Sequence, residues 1–365
     1  MKRLVVSLII IMAVTACANS LLPKPPSVNQ KTAASLGQSD WPVLGGKDPV
    51  LGIDLYARNN YPAAKVEAYG RRTLTYIKNV LKADAVGISW NFYAPNLYSP
   101  VVQATNATLS ARNVAILTKI AMQKHLLVQY RPLIQVPSTQ NHWAGLVNPY
   151  PPAKWFDSFF NAELPYLKVA QRFGVREFVT ATEMQDLNTS PLWPSFFTRV
   201  SRVYHGVISY SAWDGDYFGT APGNSFQIAE PKLLPVKYLG MDMYWHTSIP
   251  PNATASQVRA AWADLFGKVA APLLARTAID EIGIQARVGA YSTPQDLNAA
   301  GGLDEQVQAN WFAAACTTVR RFHMRGVFFF KVNLTDNPAH PAESLSTFEG
   351  KKGATAIREC VQILH

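Results

Sequence analysis

A strand pattern followed by a helix pattern can be traced eight times along this chain. The eight predicted strands are Leu51–Tyr56, Ala85–Trp90, Leu126–Arg131, Arg176–Ala181, Gly206–Ser211, Tyr238–Tyr244, Leu273–Glu281 and Gly326–Val332. Eight such units favour an α/β fold of one (β/α)8 TIM barrel over an open doubly wound sheet. No glycine-rich phosphate loop follows the first strand, which argues against a dinucleotide-binding fold.

The first residues resemble a bacterial export signal. Lys2 and Arg3 precede an apolar run, Leu4–Val14, that is about half of the roughly 20 residues a membrane-spanning helix needs. The next residues, Thr15-Ala-Cys17, complete a pattern that resembles a lipobox, which predicts cleavage before Cys17 and lipid attachment to its sulfur. The alternative is an ordinary secretory signal with an incidental cysteine.

These signals divide the chain into three parts. We interpret residues 1–16 as a lipoprotein signal peptide and residues 17–42, rich in proline and polar residues, as a lipid-anchored tether. Residues 43–365 then form the barrel. The predicted location is outside the cytoplasm, held to the cell envelope through the lipid on Cys17.

The chain is basic, with a formal net charge of +10 that falls to +8 once Lys2 and Arg3 are removed. The basic residues are scattered and no nucleic-acid-binding motif is present, so we expect no nucleic-acid partner. Two interpretations of the charge stay open. It is either a general property of an exported protein or an attraction to an acidic partner such as an anionic polysaccharide or a membrane surface.

Two cysteines remain after Cys17. Cys316 and Cys360 fall in helical patterns before and after the last predicted strand, and these helices would be neighbours in a barrel. An exported protein can join them in a disulfide, and the alternative is two buried free thiols. Their separation, with no histidine at ligand spacing, does not suggest zinc.

The chemistry of a barrel enzyme lies where its strands end. Glu183 and Glu281 stand at the exits of the fourth and seventh strands, on opposite sides of the predicted mouth. The other predicted site residues at the strand ends are Trp90, Asn91, Arg131, Trp213, Asp214, Tyr244, Trp245, Lys331 and Asn333. Aromatic rings can stack on the face of a sugar ring while polar groups bind its hydroxyls, so this set favours a carbohydrate substrate.

Paired carboxyl groups are what glycoside hydrolysis requires. One protonates the leaving oxygen, and in retaining enzymes the other attacks the anomeric carbon from about 5–5.5 Å away. We expect no metal and no organic cofactor for this chemistry. Asp280 precedes Glu281, and strand alternation predicts that it points away from the site in a structural role.

Several segments together resemble glycoside hydrolase family 113, a clan A family. They are Thr180-Ala-Thr-Glu-Met184, Val200–Trp213, Tyr238–Tyr244, Asp280-Glu-Ile-Gly283 and Phe348–Ala354, in a match over roughly residues 50–365. The resemblance implies a retaining mechanism on β-mannan-type chains. It also implies that Glu183 is the acid/base, that Glu281 is the nucleophile, and that the hydroxyl of Tyr244 binds Glu281.

Two departures from the clan matter. Thr182 stands where its members usually have asparagine, and the Lys331 region replaces the usual tryptophan platform under the reacting sugar. A lysine there predicts an affinity for an anionic substituent. Two other functions stay open: a non-catalytic carbohydrate-binding envelope lipoprotein, and a structural envelope protein whose barrel binds partners.

Overall fold

The computed structural model describes residues 48–139, 142–218, 236–245 and 249–365. Its strands are β1 (Val50–Ala57), β2 (Ala85–Tyr93), β3 (Leu127–Gln135), β4 (Glu177–Thr182), β5 (Val207–Trp213), β6 (Tyr238–Met243), β7 (Thr277–Ile282) and β8 (Gly326–Asn333). They close into a barrel in chain order, and every neighbouring pair is parallel. The predicted (β/α)8 TIM barrel is confirmed. The predicted signal peptide, Cys17 and the tether lie outside the described residues.

Helices follow the strands and cover the outside of the barrel. Those in the described residues are α1 (Ala63–Asn79), α2 (Ala111–Gln123), α3 (Pro152–Phe173), α4 (Trp193–Ser201), α5 (Asp214–Phe218), α6 (Ala255–Phe266), α7 (Ala271–Leu274), α8 (Glu305–Arg321) and α9 (Lys352–Leu364). The predicted start of the seventh strand is wrong, because a short helix with Pro272 in its first turn occupies it. Within the described residues, no helix is long and apolar enough to cross a membrane.

The outer core lies between the strands and the helices and is aromatic. Trp262 of α6 and Trp311 of α8, both fully buried, meet edge to face with ring centroids 4.8 Å apart. Next to them α8 packs on α9, where Cys316 and Cys360 form a disulfide with Cα atoms 5.7 Å apart. Of the two states that the sequence left open for these cysteines, the structure has the bonded one.

The inside of the barrel is polar above an apolar floor. Val50, Ala85 and Phe328 form the floor at the N-terminal ends of the strands. Gly52 is required there, because a Cβ at this position would lie 2.3 Å from the Phe328 ring. Higher in the barrel, ion pairs and hydrogen bonds join opposite strands and lead up to the mouth, where the predicted site residues gather.

Candidate active site

Glu183 is the first residue after β4. Relative to β5, β4 has one extra residue between Val179 and Thr182, so the inward–outward alternation breaks just before the glutamate. Glu183 has a φ of 52°, uncommon for a residue with a side chain, and its N–H donates to the Ser211 carbonyl at 2.9 Å. Its half-buried carboxylate accepts a 2.7 Å hydrogen bond from Nε1 of Trp143. Backbone geometry and the indole together fix the direction of this carboxylate.

Glu281 lies near the end of β7, on the opposite side of the barrel from β4. The hydroxyl of Tyr244 donates to its Oε1 at 2.6 Å, and Nη1 of Arg131 donates to its Oε2 at 2.5 Å. The side chain keeps 13 % of its surface exposed, so a ligand in the mouth can reach it. Two donors, one of them cationic, stabilise the negative charge of this carboxylate.

Arg131 holds the acidic residues of the mouth in place from below. Its guanidinium is fully buried and spans the barrel from β3, with Nη2 donating to Oδ2 of Asp242 at 2.5 Å. Asp242 also accepts a 2.7 Å hydrogen bond from Oγ of Ser211 at its other oxygen. The two Nη groups of Arg131 therefore hold the carboxylates of Glu281 and Asp242 next to each other.

The two glutamates have different surroundings. Burial raises the pKa of Glu183 well above its ordinary value, and the negative charges of Asp242 and Glu281 raise it further. The hydrogen bond from Trp143 and the charge of Arg131 oppose this shift. Glu183 is therefore suited to hold a proton, whereas Glu281 accepts hydrogen bonds from Tyr244 and Arg131. A general acid and a nucleophile in the same active site need two carboxyl groups with different surroundings.

The family model for glycoside hydrolase family 113 matches residues 66–349 of this chain. The chain belongs to glycoside hydrolase family 113. The resemblance seen in the sequence motifs is confirmed, and the protein is a glycoside hydrolase. Comparison with curated protein sequences finds no significant match.

Solved structures of family 113 have the same fold. The chain is similar to a family 113 β-1,4-mannanase, with a TM-score of 0.70 and 15 % identity over 86 % of this chain and 99 % of that one. It is also similar to the family 113 β-mannanase of Alicyclobacillus acidocaldarius, with a TM-score of 0.67 and 16 % identity over 88 % and 99 %. A family 5 mannosidase from Rhizomucor miehei aligns with a TM-score of 0.54 and 9 % identity over 89 % and 94 %. At these identities the likeness shows a common fold.

In this family 113 chain, only one of the two predicted residues on β2 faces the barrel interior. Asn91 is buried there, and its Nδ2 donates to the Tyr56 hydroxyl at 2.8 Å. Trp90 is fully buried on the outer side, stacked on Tyr166 of α3 with ring centroids 4.6 Å apart. Consecutive strand residues point to opposite faces, so the prediction that Trp90 contacts a sugar is wrong.

The exit of β5 contains one accessible and one buried predicted residue. Trp213 is half-buried at the end of the strand, in register with Asp242, and Gly215 leaves room for its ring. Asp214 is buried, and its Oδ2 accepts a 2.7 Å hydrogen bond from the N–H of Tyr244. The predicted contact of Asp214 with substrate stays a prediction, and in this structure its carboxylate holds the backbone of Tyr244. Burial raises the pKa of Asp214 to about 7.

The remaining predicted residues lie around the mouth. Trp245, just after β6, is half-buried and packs against the main core. Asn333 is half-buried and donates from its backbone and side chain to Asp336, at 2.7 and 3.0 Å, which ties down the end of β8. Lys331 is half-buried beside the ring of Tyr56. Residues 219–235, which follow α5, lie outside the described residues.

Strict alternation predicts that Asp280 points away from the barrel interior, but in the structure its side chain points inward. An extra residue in β7 between Ile279 and Glu281 turns both acidic side chains inward. Asp280 lies deeper than Glu281, is fully buried, and accepts a 3.2 Å hydrogen bond from Nε2 of Gln129 across the barrel. Its predicted structural role is compatible with this contact, but its predicted direction is wrong.

Sequence analysis missed two residues of the site. Trp143 donates a hydrogen bond to Glu183, and Asp242 shares the guanidinium of Arg131 with Glu281. Asp242 stands two positions before Tyr244 on β6, so the two-residue period of a strand places both on one face and could have identified it. Trp143 lies in the long segment between β3 and α3, where no local pattern marks it. Among the described residues, no group of three or more His, Cys, Asp or Glu side chains is arranged to bind a metal.

Proposed function

We propose that the protein is a retaining glycosidase in which Glu183 is the general acid/base and Glu281 is the nucleophile. The observation that carries this proposal is the contrast between the two carboxyl groups. Burial and neighbouring negative charge favour the protonated form of Glu183, while Tyr244 and Arg131 donate hydrogen bonds to the carboxylate of Glu281. An acid and an anion are what the first displacement needs.

In the first step, Glu281 forms a bond to the anomeric carbon as the bond from that carbon to the glycosidic oxygen breaks. Glu183 gives its proton to the leaving oxygen, which departs as a hydroxyl group. In the second step, Glu183 removes a proton from water, the water oxygen attacks the anomeric carbon, and Glu281 leaves as a carboxylate. Two displacements at one carbon retain its configuration.

For the substrate, we propose a β-linked polysaccharide or oligosaccharide with a mannan-like backbone. The family and its mannanase structures support this class, and the half-buried Trp213 supplies an aromatic surface at the mouth. The test is a panel of polysaccharides incubated with the wild type and with Glu281→Gln, with products read by mass. Product oligosaccharides from the wild type alone support the proposal. If the wild type cleaves no β-linked polymer, it is overturned.

The indole of Trp143 gives a pH prediction. It donates a hydrogen bond to Glu183 and so holds the pKa of that carboxyl lower than burial alone would set it. Trp143→Phe keeps an aromatic ring and removes the donor, so the pKa of Glu183 should rise. The alkaline limb of the kcat/KM profile should then move up by about 0.5–1 pH unit, since a hydrogen bond to a charged group is worth roughly 1.5–3 kcal/mol and only part of it is lost.

The measurement is hydrolysis of an unactivated oligosaccharide by both enzymes across the pH range, because its poor leaving group needs the proton of Glu183. Trp155→Phe is the matched control, because this tryptophan is buried among Phe156 and Phe159 on the outside of the barrel. Its alkaline limb should stay at the wild-type pH. An unchanged or lower alkaline limb in Trp143→Phe contradicts the assignment of the limb to Glu183.

We also propose that the protein is exported and held to the cell envelope by lipid on Cys17. The basic start, the short apolar run and the lipobox-like residues before Cys17 support this. Cys17→Ser should move the protein from the membrane fraction to the soluble fraction and abolish labelling by a radioactive fatty acid. An unchanged distribution would show that Cys17 is not the attachment point.

A further inference from the structure

Lys331 is placed at the mouth by an irregularity in β8. Two residues of β8, Phe330 and Lys331, lie opposite the single residue Asp54 of β1. A bulge of this kind redirects side chains at a strand end. The ammonium lies 4.8 Å from the ring centroid of Tyr56 and 4.3 Å from that of Phe330. Both rings present an electron-rich face to the cation and hold it at the edge of the site.

This cation has no anionic partner in the part of the chain that the structure describes. Lys331 makes no hydrogen bond and no ion pair there. The negative charges of three carboxylates act on it, those of Glu281, Asp336 and Asp54. Asp54 is fully buried in β1 and forms no ion pair with the lysine. Glu281 is bound by Tyr244 and Arg131, and Asp336 is bound by Asn333. Apart from the two aromatic rings, this half-buried ammonium has no group of the described residues in place of the water contacts that it has lost.

A second cation lies close by. Arg58 is exposed just beyond the end of β1 and likewise has no ion pair among the described residues. Burial lowers the pKa of Lys331, the negative charge of Glu281 opposes this shift, and the positive charge of Arg58 adds to it. Two neighbouring like charges repel each other, and an anion bound between them would relieve this repulsion.

We propose that Lys331 and Arg58 form an anion-binding subsite beside the nucleophile, so that the preferred substrate carries a negatively charged group on the sugar held there. The inference rests on the proposed glycosidase function and narrows its substrate to an acidic polysaccharide. The chemistry is that of a sugar carboxylate or a sulfate ester, since either presents two or more oxygens to an ammonium and a guanidinium.

The test measures binding separately from turnover. Glu183→Gln replaces the proposed acid with a neutral group of the same shape, so that substrate binds without being cleaved. The probes are three β-1,4-linked oligosaccharides of equal length: mannose units, mannuronate units, and mannose units bearing sulfate. We expect the mannuronate or the sulfated probe to bind more tightly than the neutral one. This preference for a charged probe should weaken as the salt concentration is raised.

Adding Lys331→Met to this enzyme should reduce the preference for the charged probe by about tenfold or more, the loss expected for a hydrogen bond to a charged group. Arg58→Gln should reduce it in the same direction. Lys168→Met, on the exposed face of α3, is the matched control and should leave the preference unchanged. Should Lys331→Met fail to fold, Arg58→Gln and the salt dependence test the same claim.

Each outcome bears on the proposal. A preference for the mannuronate probe identifies a carboxylate, and a preference for the sulfated probe identifies a sulfate. Equal binding of all three probes overturns the subsite. It is also overturned if Lys331→Met lowers the affinity for charged and neutral probes equally, because the lysine would then stabilise the site without selecting for charge. Charge-selective binding with no hydrolysis by the wild type would keep the subsite and reject the glycosidase.

Discussion

Replacing Glu281 with glutamine is expected to lower kcat on any substrate of this enzyme by a factor on the order of 10⁴ or more, because removal of a nucleophile takes away the whole covalent route. The substitution keeps the size of the side chain. Tyr244 can still donate to the amide oxygen, and Arg131 keeps its bond to Asp242. The variant should therefore fold, as circular dichroism and thermal unfolding can verify. Normal turnover by a folded Glu281→Gln would contradict the assignment.

Azide separates the roles of the two glutamates more sharply. In Glu281→Ala, azide can enter the vacated space and displace the leaving group directly, which inverts the anomeric carbon and gives an α-glycosyl azide. In Glu183→Ala, Glu281 still forms the glycosyl-enzyme from an activated substrate, and azide then displaces Glu281 to give a β-glycosyl azide. Exchanged products in the two variants would mean that the roles are reversed.

Replacing Arg131 with methionine is expected to have the largest effect on stability. Its guanidinium is fully buried and binds Asp242 and Glu281 at 2.5 Å each. The change leaves two carboxylates close together in the barrel without their cation. Breaking a buried ion pair from one side costs about 3–5 kcal/mol, so the free energy of unfolding should fall by roughly that amount. Chemical denaturation at neutral pH measures it.

The matched control is Arg71→Met. Arg71 pairs with Glu67 on the exposed face of α1, where solvent screens the charges, and the expected loss is below about 1 kcal/mol. The Arg131 variant should also bind ligand poorly, because Glu281 loses a donor that fixes its direction. If Arg131→Met were as stable as Arg71→Met, the buried network would not hold the mouth together.

The barrel and both glutamates could be predicted from the sequence because they depend on patterns that repeat locally. Apolar strand segments alternate with helices eight times, and a glutamate at the end of a parallel strand must lie at the C-terminal mouth. The contact between Tyr244 and Glu281 was expected from the family resemblance, and the structure contains it as a 2.6 Å hydrogen bond.

The direction of individual side chains was harder to predict, because β4, β7 and β8 each change register where the site begins. A single extra residue reverses the facing pattern of everything after it, so Asp280 turned inward against expectation. Trp90 and Asn91 are a different case. Alternation allows only one of two consecutive strand residues to face the interior, and both were named.

Contacts between distant segments left no local signal. Trp143 reaches Glu183 from the segment between β3 and α3, and Asp214 holds Tyr244 from another strand end. The disulfide likewise required α8 and α9 to pack as neighbours, which the sequence allowed without deciding. Such pairings depend on the closed barrel and become visible only in three dimensions.

The most direct test of the central claim is the anomeric configuration of the first product released by the wild-type enzyme, followed by proton NMR before the free sugar equilibrates. Two successive displacements, by Glu281 and then by water activated by Glu183, predict that a β-linked substrate yields the β-anomer first. Initial release of the α-anomer would show a single displacement and contradict the proposed roles of both glutamates.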